Sequence, residues 1–99
     1  MKKLAIVAAM TLFSAVAFAA DDAVVEKYNK SCAACHANGA AGAPKTGVEA
    51  DWAPRMEKGM DTLVASVTDG MGAMPAKGMC YDCSADDYKA MIEYMAAAQ

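Results

Sequence analysis

Histidine occurs once in this chain, at His36, so no metal centre that needs two imidazoles from a single polypeptide can form here. Basic residues are also few: 9 Lys and Arg stand against 12 Asp and Glu, for a formal net charge of −3. A chain of that sign lacks the positive footprint that neutralises a phosphate backbone, which argues against nucleic acid as a partner. No stretch alternates apolar and polar residues in the manner of a strand, and no segment repeats, so helices and loops remain. Long apolar runs are limited to one, from Leu4 to Ala20. Its 17 residues lie at the bottom of the roughly 17–25 needed to span a bilayer.

That run follows Lys2 and Lys3 and ends in Ala17-Phe18-Ala19, with small side chains one and three positions before a cut. The pattern is that of a secretory signal peptide over residues 1–19, leaving a mature chain 20–99. An uncleaved anchor is the alternative, which the short span and the cleavage-type ending disfavour. No cysteine stands near the cut, so attachment as a lipoprotein has no support. Loss of Lys2 and Lys3 takes the formal charge from −3 to −5, and the 80 remaining residues make one small domain. A core of that size is marginal without an added staple. Export also suits the four cysteines, which in such a compartment are covalently committed, and it places the mature chain in the periplasm with no stable membrane insertion.

The staple is written in Cys32-Ala33-Ala34-Cys35-His36. Two thiols three positions apart, followed at once by an imidazole, form the attachment pattern of a c-type haem. Each thiol adds across one haem vinyl group to give a thioether, and the adjacent imidazole ligates the iron from below. A flat apolar group held in this way replaces missing side-chain core. Seven methionines remain after Met1 and Met10 leave with the leader, and their flexible thioethers fill irregular space around such a group.

Around the motif the pattern predicts a small all-α domain of three or four helices wrapped around the cofactor, with loops over its edges. Asp21 to Lys30 places Val24, Val25 and Tyr28 at helical spacing behind an acidic pair suited to a cap, with Cys32 continuing that face. Asn38 to Gly47 is rich in Ala and Gly and contains Pro44, a loop composition. Ala50 to Met60 predicts a brief helix around Trp52 and Met56 that breaks near Gly59. Asp61 is placed to cap a second helix carrying Leu63, Val64 and Val67 as far as Gly70. Three glycines around Pro75 make 70–78 a loop. Ser84, with Asp87 three residues on, opens the last helix, whose inner face is Tyr88, Met91, Ile92 and Met95.

Candidate functional residues follow from this layout. His36 is the proximal iron ligand, and with no second histidine the distal position falls to a methionine or stays open. Met56 and Met60, like Met91 and Met95, lie four apart on helical segments and read as packed side chains. Met71, Met74 and Met79 lie in the loop. Pro75 restricts the backbone around Met74, which makes Met74 the favoured distal ligand and Met71 the second. Cys80 and Cys83 form a pair with no histidine after them. A disulfide is the leading reading, worth roughly 2 kcal/mol by chain entropy. A redox-active dithiol and a zinc site shared with Cys32 and Cys35 compete with it. Trp52 and Arg55 are candidates to bond a haem propionate, and the Pro44 carbonyl to accept the free ring N–H of His36.

The chain resembles the class I c-type cytochromes of bacteria, most closely the cytochrome c5 type. The resemblance rests on Cys32-Ala33-Ala34-Cys35-His36, Gly39, Gly42-Ala43-Pro44, Gly47, Trp52, Pro54-Arg55, Met74-Pro75, Lys77-Gly78, Cys80, Cys83 and Tyr94-Met95, spread over nearly all of 20–99. It implies a compact helical fold around one covalent haem c, axial ligands His36 and Met74, the Pro44 carbonyl behind His36, and a disulfide between Cys80 and Cys83. The sequence departs from the pattern at Ala76, where the family often has another proline. The function so implied is that of a soluble periplasmic carrier of single electrons between respiratory redox proteins, which include membrane-bound oxidoreductases and terminal reductases or oxidases, and not an enzyme. An apolar rim from the alanines near position 40 and the segment 70–73 suits brief docking. The rival readings are a haem-based gas sensor or small haem enzyme with an open sixth site, and a thiol–disulfide or zinc module.

Overall fold

The computed structural model describes residues 21–98; the leader expected over 1–19 lies outside the described residues. Five α-helical segments follow in order: α1 (Asp22–Lys30), α2 (Ala33–His36), α3 (Glu49–Met56), α4 (Met60–Asp69) and α5 (Ala85–Ala96). Short 3-10 turns occupy Ala40–Gly42 and Ala76–Met79. No strand occurs among the described residues, and the only extended pairing there joins Met71 to Met74. The protein is all-α.

The fold closes by packing α5 against both α1 and α4. Tyr88, Met91, Ile92 and Met95 form its buried face, one residue every three or four positions, as a 3.6-residue repeat requires. They meet Tyr28 from α1, Cys32 just before α2, Trp52 from α3 and Val67 from α4. Val24, Leu63, Val64 and Met74 pack around that cluster. The Tyr28 and Tyr94 rings meet edge to face, centroids 5.0 Å apart, the arrangement that suits opposed ring quadrupoles.

Helix starts differ from expectation where the cap is not a hydroxyl. Ser84 opens α5 with a complete capping box, its Oγ accepting the Asp87 N–H and the Asp87 carboxylate accepting the Ser84 N–H. Asp21 precedes α1 without a side-chain cap bond. Asp61 is not the cap of α4 either: Gly59 takes that position with φ +90°, and Asp61 lies within the first turn, where its charge favours the exposed N–H groups. Gly59 therefore separates Met56 from Met60. They end and begin different helices instead of sharing one face, and Met56 is exposed while Met60 packs on the core.

Asp87 does a second job, accepting a 2.8 Å bond from Lys27 Nζ and so tying α1 to the start of α5. That bond, helped by the Ser84 N–H, holds the Asp87 carboxyl below the usual carboxylate range. A group whose pKa is lowered by folding stabilises the native state above its unfolded pKa, and that contribution disappears as pH falls through its folded value. Asp87→Asn should therefore flatten the acid limb of the stability–pH curve in denaturant titrations. Ser84→Ala should cost about 1 kcal/mol near neutral pH in the same measurement.

Candidate functional site

α1 ends at Ser31, whose hydroxyl donates to the Lys27 carbonyl (2.7 Å), and the chain re-enters helix for the single turn α2. That turn places Cys32, Cys35 and His36 along one side of a cleft. Cys32 and His36 are buried, whereas Cys35 is exposed. The Cys32 sulfur lies 3.7 Å from the Met91 sulfur. Burial pushes the Cys32 thiol above its ordinary pKa, against a smaller opposing effect from Ser31. A redox dithiol needs the reverse, an environment that lowers the thiol pKa. The buried Cys32 is therefore poorly suited to be the attacking thiol of such a pair.

His36 is held by the loop after it. Its Nδ1 lies 2.9 Å from the Pro44 carbonyl oxygen. A carbonyl can only accept, so Nδ1 carries the proton and Nε2 keeps the lone pair that a metal needs. Adjacent residues of the same loop are anchored in turn. The Thr46 N–H donates to the His36 carbonyl (2.8 Å), the Thr46 hydroxyl meets the Tyr28 hydroxyl (2.7 Å), and the Gly47 N–H donates to the Met95 carbonyl (2.8 Å).

The cleft consists of two adjoining cavities of about 350 and 300 Å³, within the range of small-molecule and cofactor sites. Both are lined by Cys32, His36, Pro44, Arg55, Met71 and Met74. The outer one opens between the 40–43 turn and the 71–73 segment; Met71 is 60% exposed there. The inner one reaches Trp52, Tyr88 and the methionines of α5. Lys58, Thr62 and Ser66 also line it, polar residues that nothing in their sequence spacing marks as part of a site.

Met74 is fixed from beneath by two glycines. A Cβ on Gly70 would come within 2.9 Å of the Met74 carbonyl oxygen and the Ala76 nitrogen, and one on Gly78 within 3.2 Å of the Met74 methyl. Both glycines have positive φ, +84° and +55°. Directly after the 3-10 turn, Cys80 and Cys83 are joined in a disulfide, and the buried Tyr88 hydroxyl donates to the Cys80 carbonyl (2.9 Å). The bridge and that hydrogen bond attach the end of the Met74 loop to α5.

Trp52 Nε1–H, expected to serve a propionate, donates here to the Lys45 carbonyl (3.0 Å). Its ring stacks on His36. Arg55 does line the cleft; its Nη1 bonds the Asp51 carbonyl (2.6 Å), and a guanidinium has further N–H groups to offer. Cys80 and Cys83 lie with Asp82 in a possible cation cluster, but their sulfurs are spent on the disulfide, which removes zinc at this pair.

The family model described as "Cytochrome C oxidase, cbb3-type, subunit III" matches residues 19–95. Cytochrome c5 of Azotobacter vinelandii is 47% identical over 76 residues, which cover 75% of this chain and 88% of that protein. The chain belongs to the class I c-type cytochromes, of the cytochrome c5 type. A mono-haem ferrocytochrome c from Shewanella putrefaciens superposes with a TM-score of 0.69 at 54% identity, covering 77% of this chain and 94% of that one. A cytochrome c from an electron transfer complex with nitrite reductase gives 0.70 at 39% identity, covering 77% of this chain and 93% of that one. As a cytochrome of this family the protein is an electron carrier with a haem c cofactor, and not an enzyme.

The residues of the cleft fit that group: two thiols three positions apart, an imidazole with a bare Nε2, a thioether and otherwise mostly apolar walls. Gly70→Ala tests how the Met74 side is held. A side chain at Gly70's φ +84°, ψ 161°, a region essentially confined to glycine, costs about 1–3 kcal/mol by itself, and collision with the Met74–Ala76 backbone adds to it. Chemical denaturation should show a loss of at least that size, with Gly72→Ala, also at positive φ but with nothing within 4 Å of its Cβ, as the comparison free of the collision.

Proposed function

We propose that the mature chain, residues 20–99, is a periplasmic carrier of single electrons that holds one haem c between His36 and Met74. The observation that carries this reading is the cleft itself, which gathers Cys32, Cys35, His36 and Met74 from two distant stretches of sequence. Bound haem supplies the one-electron chemistry of its iron.

The chain's own residues do the rest. Cys32 and Cys35 secure the group through thioethers, which keeps it from being lost in dilute surroundings. The Pro44 carbonyl holds the His36 proton at Nδ1 and presents Nε2 to the iron. Met74 offers a neutral sulfur, a ligand that favours the ferrous state and raises the potential. Gly70 and Gly78 let the Met74 loop pack close, which would hold the Met74 sulfur where haem iron could take it. Arg55 places a positive charge beside the cleft, suited to a propionate. Met71, Gly72 and Ala73, with Ala40 and Ala41, make an apolar mouth that suits brief contact with a redox partner. The electron transfer complex of a similar cytochrome with nitrite reductase supports redox enzymes as that class of partner.

The periplasmic assignment rests on the leader pattern of residues 1–19 and on a family match that begins at residue 19. No helix among the described residues is long and apolar enough to cross a membrane.

Pyridine haemochrome spectra and the intact mass of exported protein test attachment: one haem per chain, with the chain starting at Ala20. In the ferric protein, Met74→Ala should abolish the weak far-red sulfur-to-iron band while Met71→Ala preserves it. Rapid carbon monoxide binding by the unsubstituted ferrous protein would instead support an open sixth site.

A further inference from the structure

His36 and Trp52 are suspended from successive carbonyls of one backbone segment. Pro44 accepts from His36 Nδ1 at 2.9 Å, and Lys45 accepts from Trp52 Nε1 at 3.0 Å. The two rings then stack, centroids 5.6 Å apart and planes 29° apart. Trp52 is only 4% exposed, so its own position is set by packing. The segment between them is itself fixed. The Lys45 N–H donates to the Asp51 carboxylate (3.1 Å), and the neighbouring Thr46 N–H returns to the His36 carbonyl (2.8 Å).

A single hydrogen bond at Nδ1 holds one edge of an imidazole but leaves its plane to rock, because rotation about the bond from Cβ to an sp² ring lies in a broad well. A second ring against its face narrows that well, through contact and through the preference of aromatic pairs for offset stacking. We propose that Trp52 is a positioning residue that fixes the plane of the His36 imidazole, by its ring face and by its hold on the peptide next to the Pro44 acceptor. The inference rests on the reading of His36 as the iron ligand. Its functional meaning is preorganisation: a ligand that does not turn between oxidation states needs little rearrangement as an electron enters or leaves.

The test uses ferric haem-loaded protein and proton NMR. The plane of an axial imidazole sets how unpaired spin is shared among the four haem methyl groups, and the His36 Nδ1 proton reports its hydrogen bond by its exchange rate. Trp52→Leu, which removes the ring face, should change the order or spread of the methyl shifts. Trp52→Phe keeps a ring but frees the Lys45 carbonyl; it should retain the methyl order while the Nδ1 proton exchanges about tenfold faster, the scale of one hydrogen bond's net contribution. A tryptophan that served only as core would lower the melting temperature and move neither readout.

If Trp52→Leu does not fold, Trp52→Phe decides alone: an exchange rate unchanged within about twofold overturns the inference. Unchanged methyl shifts in folded Trp52→Leu overturn it equally. Absence of hyperfine-shifted imidazole resonances in the unsubstituted protein would overturn His36 ligation, and this inference with it. Their presence, with both variants like the parent, overturns the inference alone.

Discussion

The hydrogen bond from His36 Nδ1 to the Pro44 carbonyl fixes the loop over 37–47 as well as the imidazole, because the two ends of that loop cannot separate while it holds. Thr46 doubles the closure by returning its N–H to the His36 carbonyl, and Gly47 carries it to the last helix through the Met95 carbonyl. Tyr28 adds the first helix through the Thr46 hydroxyl. With Trp52 of α3 on the Lys45 carbonyl, four helices thus converge on residues 44–47. A displacement of any one is felt at His36, since cores and hydrogen-bonded turns shift between discrete arrangements instead of deforming smoothly.

The opposite wall is held by different means. Met74 has no hydrogen-bonded ring to fix it, and its position depends on what is missing beneath: side chains at Gly70 and Gly78. The disulfide and the bond from Tyr88 to the Cys80 carbonyl then bind the loop's far end to α5. One wall is organised by polar contacts and the other by close backbone approach. Both are anchored to the same terminal helix, whose inner face completes the core.

Much of this was legible in sequence wherever the chemistry is local. Covalent attachment of haem requires its cysteines and histidine side by side, so Cys32 to His36 announces itself in five residues. The Ser84 cap and the α5 face follow from spacing within one helix. What depends on distant partners was not legible. Trp52 and the Lys45 carbonyl are seven residues apart across a turn, and nothing in either residue type tells that the indole hydrogen is spent there. Met56 and Met60 have the spacing of a shared helical face, and only the positive φ at Gly59 separates them. Lys58, Thr62 and Ser66 reach the cleft because of how α3 meets α4, a tertiary fact.

The methionines are distributed unequally between surface and interior. Met71 and Met79 are 60% and 52% exposed at the outer cavity, while Met91 is 1% exposed behind it. Oxidants reach accessible thioethers first, and a sulfoxide is polar where the thioether was not. Oxidative ageing of the molecule therefore begins at its rim, wetting the mouth before it reaches the sulfurs against the interior.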